Sequence, residues 1–378
     1  VKPFHITGAQ VLRPGGLDDA PLGIAGARIA DELPGRAVDL TGWLVLPGIV
    51  DIHGDGFERH LAPRRGAMSD LASGLIATEA ELAANGITTA VLAQFWSWEG
   101  GMRGPDFALA MLDALDRVRG GFGTDLLCQL RLETHLIDDY RRFEEAVARH
   151  RVPYVVFNDH LPHAALNAGR KVPRLTGQAL KSGRSPEAHL ALLEALHARD
   201  PEVPDAVTAL AARLAGQGVR TGSHDDPDAE TRRLWRGRGV TLSEFPETPD
   251  AAAEAAGAGE PVVMGAPNVM RGGSHAGKVA AEDIVRSGHC TALASDYHYP
   301  APRLAALKLA ESLGLGAAWR LVSSGPAEVL GLIDRGHLSP GARADLVILH
   351  PGTGRVGATI AGGEVRYMSG EVARAFIG

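Results

Sequence analysis

The chain has 378 residues, 22% of them charged, and a net charge of −7. That length suits one large α/β domain plus a small accessory one, and an acidic balance without a basic tail argues against a general nucleic-acid binder. Two cysteines, Cys128 and Cys290, sit in apolar runs and read as buried thiols of a reducing compartment; no apolar stretch approaches the roughly 20 residues of a membrane span.

The opening VKPFHITGAQ lacks signal-peptide shape, so a soluble cytoplasmic protein is expected. The first 46 residues are short strand-like runs broken by Gly and Pro, such as FHITGAQVL and RAVDLTGWLVL. The end of the chain looks alike, with GARADLVILH and GATIAGGEVRYM. The two pieces, 1–46 and 336–378, are too small for separate cores and are predicted to pair into one small β-domain. Between them, in 47–335, strands are predicted at 49–53, 87–93, 126–133, 153–158, 219–223, 240–244, 262–266 and 291–295. Helical runs such as LASGLIATEAELAANG and AHLALLEALHARD separate many of them, which reads as a (β/α)₈ TIM barrel. Residues 164–186 lack periodicity and carry Arg170, Lys171, Arg174, Lys181 and Arg184. They read either as a solvated loop or as a basic lid over an anionic substrate.

Chemistry clusters at the predicted strand ends. In PGIVDIHGD, His53 and Asp55 are two residues apart on a strand and point the same way, as a pair of metal ligands would. Further apolar runs end in Glu133, His160, His224 and Asp296. In such barrels the C-terminal strand ends carry the active site. A Gly-rich loop, PNVMRGGSHAGK, follows another strand. Gly272 and Gly273 let backbone N–H groups approach an anion, and Arg271, Lys278, Asn268, Ser274 and His275 add polar and cationic groups for phosphate. Arg59 and Arg64 could face the same anion, whereas Arg65 reads as a surface charge.

PGIVDIH, GITTAV, the later His and Asp residues and GHLSPGARADLVIL together resemble the amidohydrolase superfamily. That resemblance implies a metal-dependent hydrolase on a distorted barrel beside a β-sandwich made from both chain ends. More narrowly, HGDGFERHLAPRRG, CQLRLE, FNDH, GSHDD, EFPET, MGAPNVMRGGSHAGKVAAED and ASDYHYP, in this order from about Val45 to Leu349, resemble the PhnM family of the carbon–phosphorus lyase pathway, the α-D-ribose 1-methylphosphonate 5-triphosphate diphosphatases. The resemblance implies two divalent metal ions held by His53, Asp55, Glu133, His160, His224 and Asp296, with Asp296 as base. Glu133 is the natural bridge between them, because no Lys ends a suitable strand. His and carboxylate ligands suit Zn, Mn and Fe alike.

The chain departs from the family pattern in three loops. Gly54-Asp55-Gly56 stands where the family has a hydroxyl residue followed by Asp-Asn. Leu161-Pro162-His163-Ala164 replaces Thr-Pro-Gly-Gln, and Ala276-Gly277-Lys278 replaces Ser-Gly-Asn. The expected partner is an anionic phosphorylated small molecule, with neither nucleic acid nor membrane, and a homo-oligomer is compatible with this. Two other readings stand beside triphosphate hydrolysis: cleavage of a C–N bond, as in cyclic amidases and deaminases, and a non-catalytic binding paralogue. Arg271 and Lys278 favour the phosphoanhydride over the amide. Retention of every ligand type argues against loss of catalysis.

Overall fold

The computed structural model describes residues 2–64, 70–273 and 277–378. Eight strands follow one another in a parallel sheet: β1 (Ile49–Gly54), β2 (Ile87–Trp96), β3 (Asp125–Glu133), β4 (Tyr154–Asn158), β5 (Arg220–His224), β6 (Leu242–Glu244), β7 (Val262–Gly265) and β8 (Ala292–Ala294). A parallel bridge between Gly54 and Asp296 joins the first strand to the residues just past the last. This is the (β/α)₈ barrel expected from the alternation of runs.

The residues explain the elements. β2 is buried along its whole length, as a parallel strand covered on both faces should be, and its Val91, Leu92 and Ala93 supply that burial. β3 alternates Leu130 and Leu132 with Gln129, Arg131 and Glu133, and all five are buried. Among the described residues, four of the helices between strands start on side-chain caps. Asp70 accepts from Ser73 N at 3.0 Å ahead of Leu71–Ala84, and Asp228 accepts from Thr231 N at 2.7 Å ahead of Ala229–Gly237.

The chain ends build two further sheets. One has four strands in the order Arg28–Ala30, Leu22–Ala25, Phe4–Thr7, Arg36–Asp39. The other has six, in the order Glu364–Met368, Val356–Ala361, Leu346–Leu349, Leu44–Pro47, Gln10–Arg13, Gly16–Asp18. Phe4, Ile6, Ile24, Val45, Leu346 and Ile360 share one apolar core drawn from both sheets, so N- and C-terminal segments fold together.

Residues 163–197 form helices His163–Asn167, Leu175–Ser182 and Pro186–His197. Val172 and Leu193 pack with Trp98, Leu161 and Leu196, and Arg184 donates to Trp98 O at 2.8 Å. The stretch read from sequence as loop or lid is thus a packed helical insert after β4, with Arg170, Lys171, Arg174 and Lys181 exposed on it.

By contacts the chain divides into two compact units. One comprises Val1–Leu92, Arg117–Leu127 and Pro261–Gly378; the other comprises Ala93–Asp116 and Cys128–Glu260. Among the described residues no helix is long and apolar enough to cross a membrane.

Candidate active site

In the first unit, β1 and the turn after β8 bring His53, Asp55 and Asp296 together. One ligand atom from each lies within 4.8 Å of the other two. The backbone sets this geometry. Asp296 N donates to His53 O at 2.9 Å, and Asp55 N donates to Asp296 O at 2.9 Å. Asp296 has φ of 55°, a left-handed conformation that Asp tolerates better than most residues and that turns its side chain out of the strand direction. Beneath this pair, buried Asp51 accepts from Ser295 N at 2.8 Å and from Ser295 Oγ at 2.5 Å. Burial pushes the Asp51 carboxyl up, and the Ser295 hydrogen bonds oppose that only in part. A Cβ on Gly54 would meet Asp51 Oδ2 at 2.7 Å and Ser295 Oγ at 2.8 Å, so only glycine fits beside this tie.

The predicted anion loop belongs to the same unit. Asn268 uses its side chain within the loop: Nδ2 donates to Val279 O at 3.0 Å, and Oδ1 accepts from Ala281 N at 3.0 Å. Gly272, with φ of 76°, closes the helix Ala266–Arg271 in a left-handed turn. Gly273 N donates back to Asn268 O at 3.1 Å. Arg271 is exposed and donates to Tyr297 Oη, and Lys278 is exposed. Arg59 donates to Tyr297 O at 3.1 Å, pairs with Glu81 and lies over the Tyr299 ring, 5.2 Å from its centroid. Tyr297 therefore touches both arginines. Ser274, His275 and Arg65 lie outside the described residues.

In the second unit, β3, β4 and β5 present Glu133, His160 and His224. His160 Nδ1 lies 2.5 Å from Glu133 Oε1, and the other carboxylate oxygen accepts from His160 N at 3.1 Å and Trp98 Nε1 at 3.2 Å. Burial alone would raise the Glu133 pKa, but the neighbouring His160 outweighs it and the net shift is downward. Burial would lower that of His160, and the Glu133 carboxylate turns the net shift upward. The rings of His160 and His224 stand 6.4 Å apart, centroid to centroid.

His224 is held at both nitrogens. Arg131 Nη2 approaches Nε2 at 2.8 Å, and Nδ1 lies 2.8 Å from Glu244 Oε1. A guanidinium can only donate, so Nε2 accepts and the proton sits on Nδ1, directed at Glu244. Burial and the Arg131 charge both lower the His224 pKa, which keeps this neutral form. The second oxygen of Glu244 accepts from Gln129 Nε2 at 2.8 Å and Tyr154 Oη at 3.0 Å. Sequence reasoning missed Glu244, Arg131, Tyr154 and Trp98 as parts of this network. A signal for Glu244 existed: the run VTLSE ends in a carboxylate as LCQLRLE ends in Glu133.

One imidazole nitrogen and two carboxylates within 4.8 Å, as in the group of His53, Asp55 and Asp296, form a donor set that fits a divalent metal ion. Comparison with known proteins narrows the identity. No family model matches the chain. The alpha-D-ribose 1-methylphosphonate 5-triphosphate diphosphatase of Escherichia coli (strain K12) is 33% identical over 343 residues, 86% of this chain and 87% of that protein. The chain belongs to this diphosphatase family. It is an enzyme, and its barrel with terminal sheets is a fold that other hydrolases also use. A triazine hydrolase variant superposes with a TM-score of 0.66 at 16% identity, covering 100% of this chain and 98% of the other. The atrazine chlorohydrolase TrzN from Arthrobacter aurescens TC1, complexed with zinc, gives 0.61 at 16% identity over 99% and 98%. A prolidase complexed with N-methylphosphonate-L-proline gives 0.61 at 16% identity over 96% and 99%. At these identities the likeness speaks for this chain's fold alone.

Proposed function

We propose that this member of the family hydrolyses the phosphoanhydride of α-D-ribose 1-methylphosphonate 5-triphosphate and releases pyrophosphate. The observation that carries this reading is 33% identity to the Escherichia coli diphosphatase across 86% of the chain. The boundaries proposed for its parts are 1–46 with 336–378 for the terminal β-domain and 47–335 for the barrel.

The proposed ligands of two divalent metal ions are His53, Asp55 and Asp296 in one compact unit and Glu133, His160 and His224 in the other. The support is the donor chemistry of each group taken separately. Divalent ions held there would lower the pKa of a bound water and neutralise charge on phosphoryl oxygens. The chain's own residues do the rest. Asp296, aimed by its left-handed backbone, accepts the proton of the attacking water at its carboxylate. Glu244, through Nδ1–H of His224, keeps the lone pair on Nε2, where Arg131 donates and would have to give way to an ion. Arg271, Arg59 and Lys278 bind the polyphosphate, and the Gly272–Gly273 backbone lets it approach. Asn268 shapes that loop from within.

Water attacks the phosphorus nearest the ribose, and the bond to the bridging oxygen of the leaving pyrophosphate breaks. Hydrolysis in ¹⁸O-water tests this. The label is expected in the ribosyl monophosphate, with pyrophosphate unlabelled, and activity should vanish on chelation and return with Zn, Mn or Fe. Release of orthophosphate only, or activity confined to an amide or lactam, overturns the reading.

A further inference from the structure

Three side chains converge elsewhere in the compact unit that carries Glu133. His135 stands two residues past β3, Asp159 follows β4, and His163 opens the helix His163–Asn167. One ligand atom from each lies within 4.8 Å of the other two. His163 Nε2 is 3.0 Å from both oxygens of Asp159. His135 Nδ1 is 3.7 Å from Asp159 Oδ1, beyond hydrogen-bond reach, with Thr134 Oγ1 at 3.3 Å.

The outer hydrogen bonds decide which nitrogens carry protons. His197 Nε2 lies 2.8 Å from Asn167 Oδ1, an acceptor, so its proton is there and its Nδ1 holds a lone pair. His163 Nδ1, 2.8 Å from that lone pair, must donate to it. In the neutral ring this leaves the lone pair of His163 Nε2 facing a carboxylate, a contact that only a proton or a metal ion on Nε2 makes attractive. On the opposite side, His135 Nε2 donates to Asp200 Oδ1 at 3.2 Å, which leaves the lone pair of Nδ1 facing the same carboxylate. Two imidazole lone pairs and an anion aimed at one another repel unless a cation lies between them. Metal-ligating histidines are oriented in this way, each donating its outer N–H to an acceptor.

We propose that His135 Nδ1, the Asp159 carboxylate and His163 Nε2 bind a divalent transition-metal ion of the zinc class, in addition to the ions of the proposed active site. Two nitrogens and one oxygen suit such an ion, and three protein ligands leave a fourth position for water or an anion. A cavity of about 530 Å³ lies against His163 and is lined also by Arg170 and Lys171, whose charges favour an anion in that position. The ion would tie the helical insert to the ends of β3 and β4. The proposal does not rest on the phosphoanhydride reading.

The test strips the full-length chain of metal and titrates it with Zn²⁺ by calorimetry and with Co²⁺ by visible absorption. The variants are His163→Ala, Asp159→Asn and His197→Ala, each checked for native circular dichroism. His163→Ala and Asp159→Asn should each bind one equivalent fewer than the wild type. His197→Ala should keep the equivalent but bind it about 10–100-fold more weakly, because only the orienting partner is lost. A merely structural role for His197 would leave that affinity unchanged. His53→Ala, which should lose hydrolysis and keep this ion, separates failure of this site from failure of the active-site reading. Equal stoichiometry and affinity in the wild type, His163→Ala and Asp159→Asn would overturn the proposal and reduce the cluster to a protonated His163–Asp159 pair.

Discussion

The backbone N–H of Asp296 donates to the carbonyl of His53 at 2.9 Å, so two candidate ligands far apart in sequence are fixed by main chain before any ion binds. Asp51 and Ser295, one step further into the barrel, lock the same seam through two hydrogen bonds.

Removing that lock should loosen the site. Asp51→Ala leaves the buried N–H and hydroxyl of Ser295 without their acceptor, at a cost of about 1–3 kcal/mol. Metal affinity at His53 should fall as well. Urea unfolding and metal titration read both effects, and an unchanged midpoint with unchanged affinity would show that the seam holds without Asp51. Gly54→Ala should damage the same tie from the other side, since its Cβ collides with Asp51 and Ser295.

A second buried charge supports β5 and β6. Arg232 Nη1 donates to Ser223 Oγ at 2.7 Å and Leu242 O at 3.0 Å and lies 3.4 Å from Asp226 Oδ2, while Nε is 3.2 Å from Glu260. Both Arg232 and Asp226 are buried. Arg232→Met strands the Asp226 carboxylate and should cost about 3–5 kcal/mol, as breaking a buried pair does. Adding Asp226→Asn should recover part of it. If the double variant is no more stable than the single one, the pair is not the source of the loss.

The eight barrel strands were legible because each is an apolar run of strand length between helical runs. The approach of His53, Asp55 and Asp296 was legible because each stands at or just past the end of such a run. What sequence could not give is pairing across the sheet. Nothing near Arg131 in the chain announces His224, and nothing near Gln129 announces Glu244, because those contacts exist only once β3, β5 and β6 lie in one sheet. In the insert after β4 the run AHLALLEALHARD was legible as a helix, whereas residues 164–186 were opaque for another reason. The two helices in that stretch, His163–Asn167 and Leu175–Ser182, are too short to show a period, and Val172 between them packs on Trp98, which lies far back in the chain. Asn268 illustrates a third limit: composition marks it as a phosphate contact, whereas its side chain holds the loop together.

If Glu133 is a metal ligand as proposed, Glu133→Ala should lose about one ion per chain relative to the wild type. The fold should persist. Glu133 sits at the end of β3, and removing its carboxylate from Trp98 Nε1 and the His160 ring and N–H leaves the packing of Trp98 against Leu161 and Leu193 in place. Elemental analysis beside circular dichroism makes the measurement. Full metal content with full turnover would remove Glu133 from the ligand set.

Arg271 and Lys278 share a loop but not a setting. Arg271 donates to Tyr297 Oη, and Tyr297 also receives Arg59 at its carbonyl, so the guanidinium is pre-positioned. Lys278 lies past the glycine turn as an exposed ammonium, a point charge without the planar fork of Arg271. If both meet the polyphosphate, Arg271 should strengthen its contact as charge builds on the leaving pyrophosphate. Electrostatic groups placed in this way contribute about 10²–10³ in rate. Arg271→Ala should therefore lower kcat/KM for a triphosphate by about that factor while leaving metal content unchanged. Lys278→Ala should lower it less and act mainly through KM, because a point charge without a directed fork binds ground state and transition state alike. Tyr297→Phe, which removes the hydroxyl that Arg271 holds, should fall between the two. The comparison requires all three variants on one triphosphate substrate with metal content measured in parallel. Equal losses in all three, or losses that track metal content, would make the loop a structural support and not an anion site.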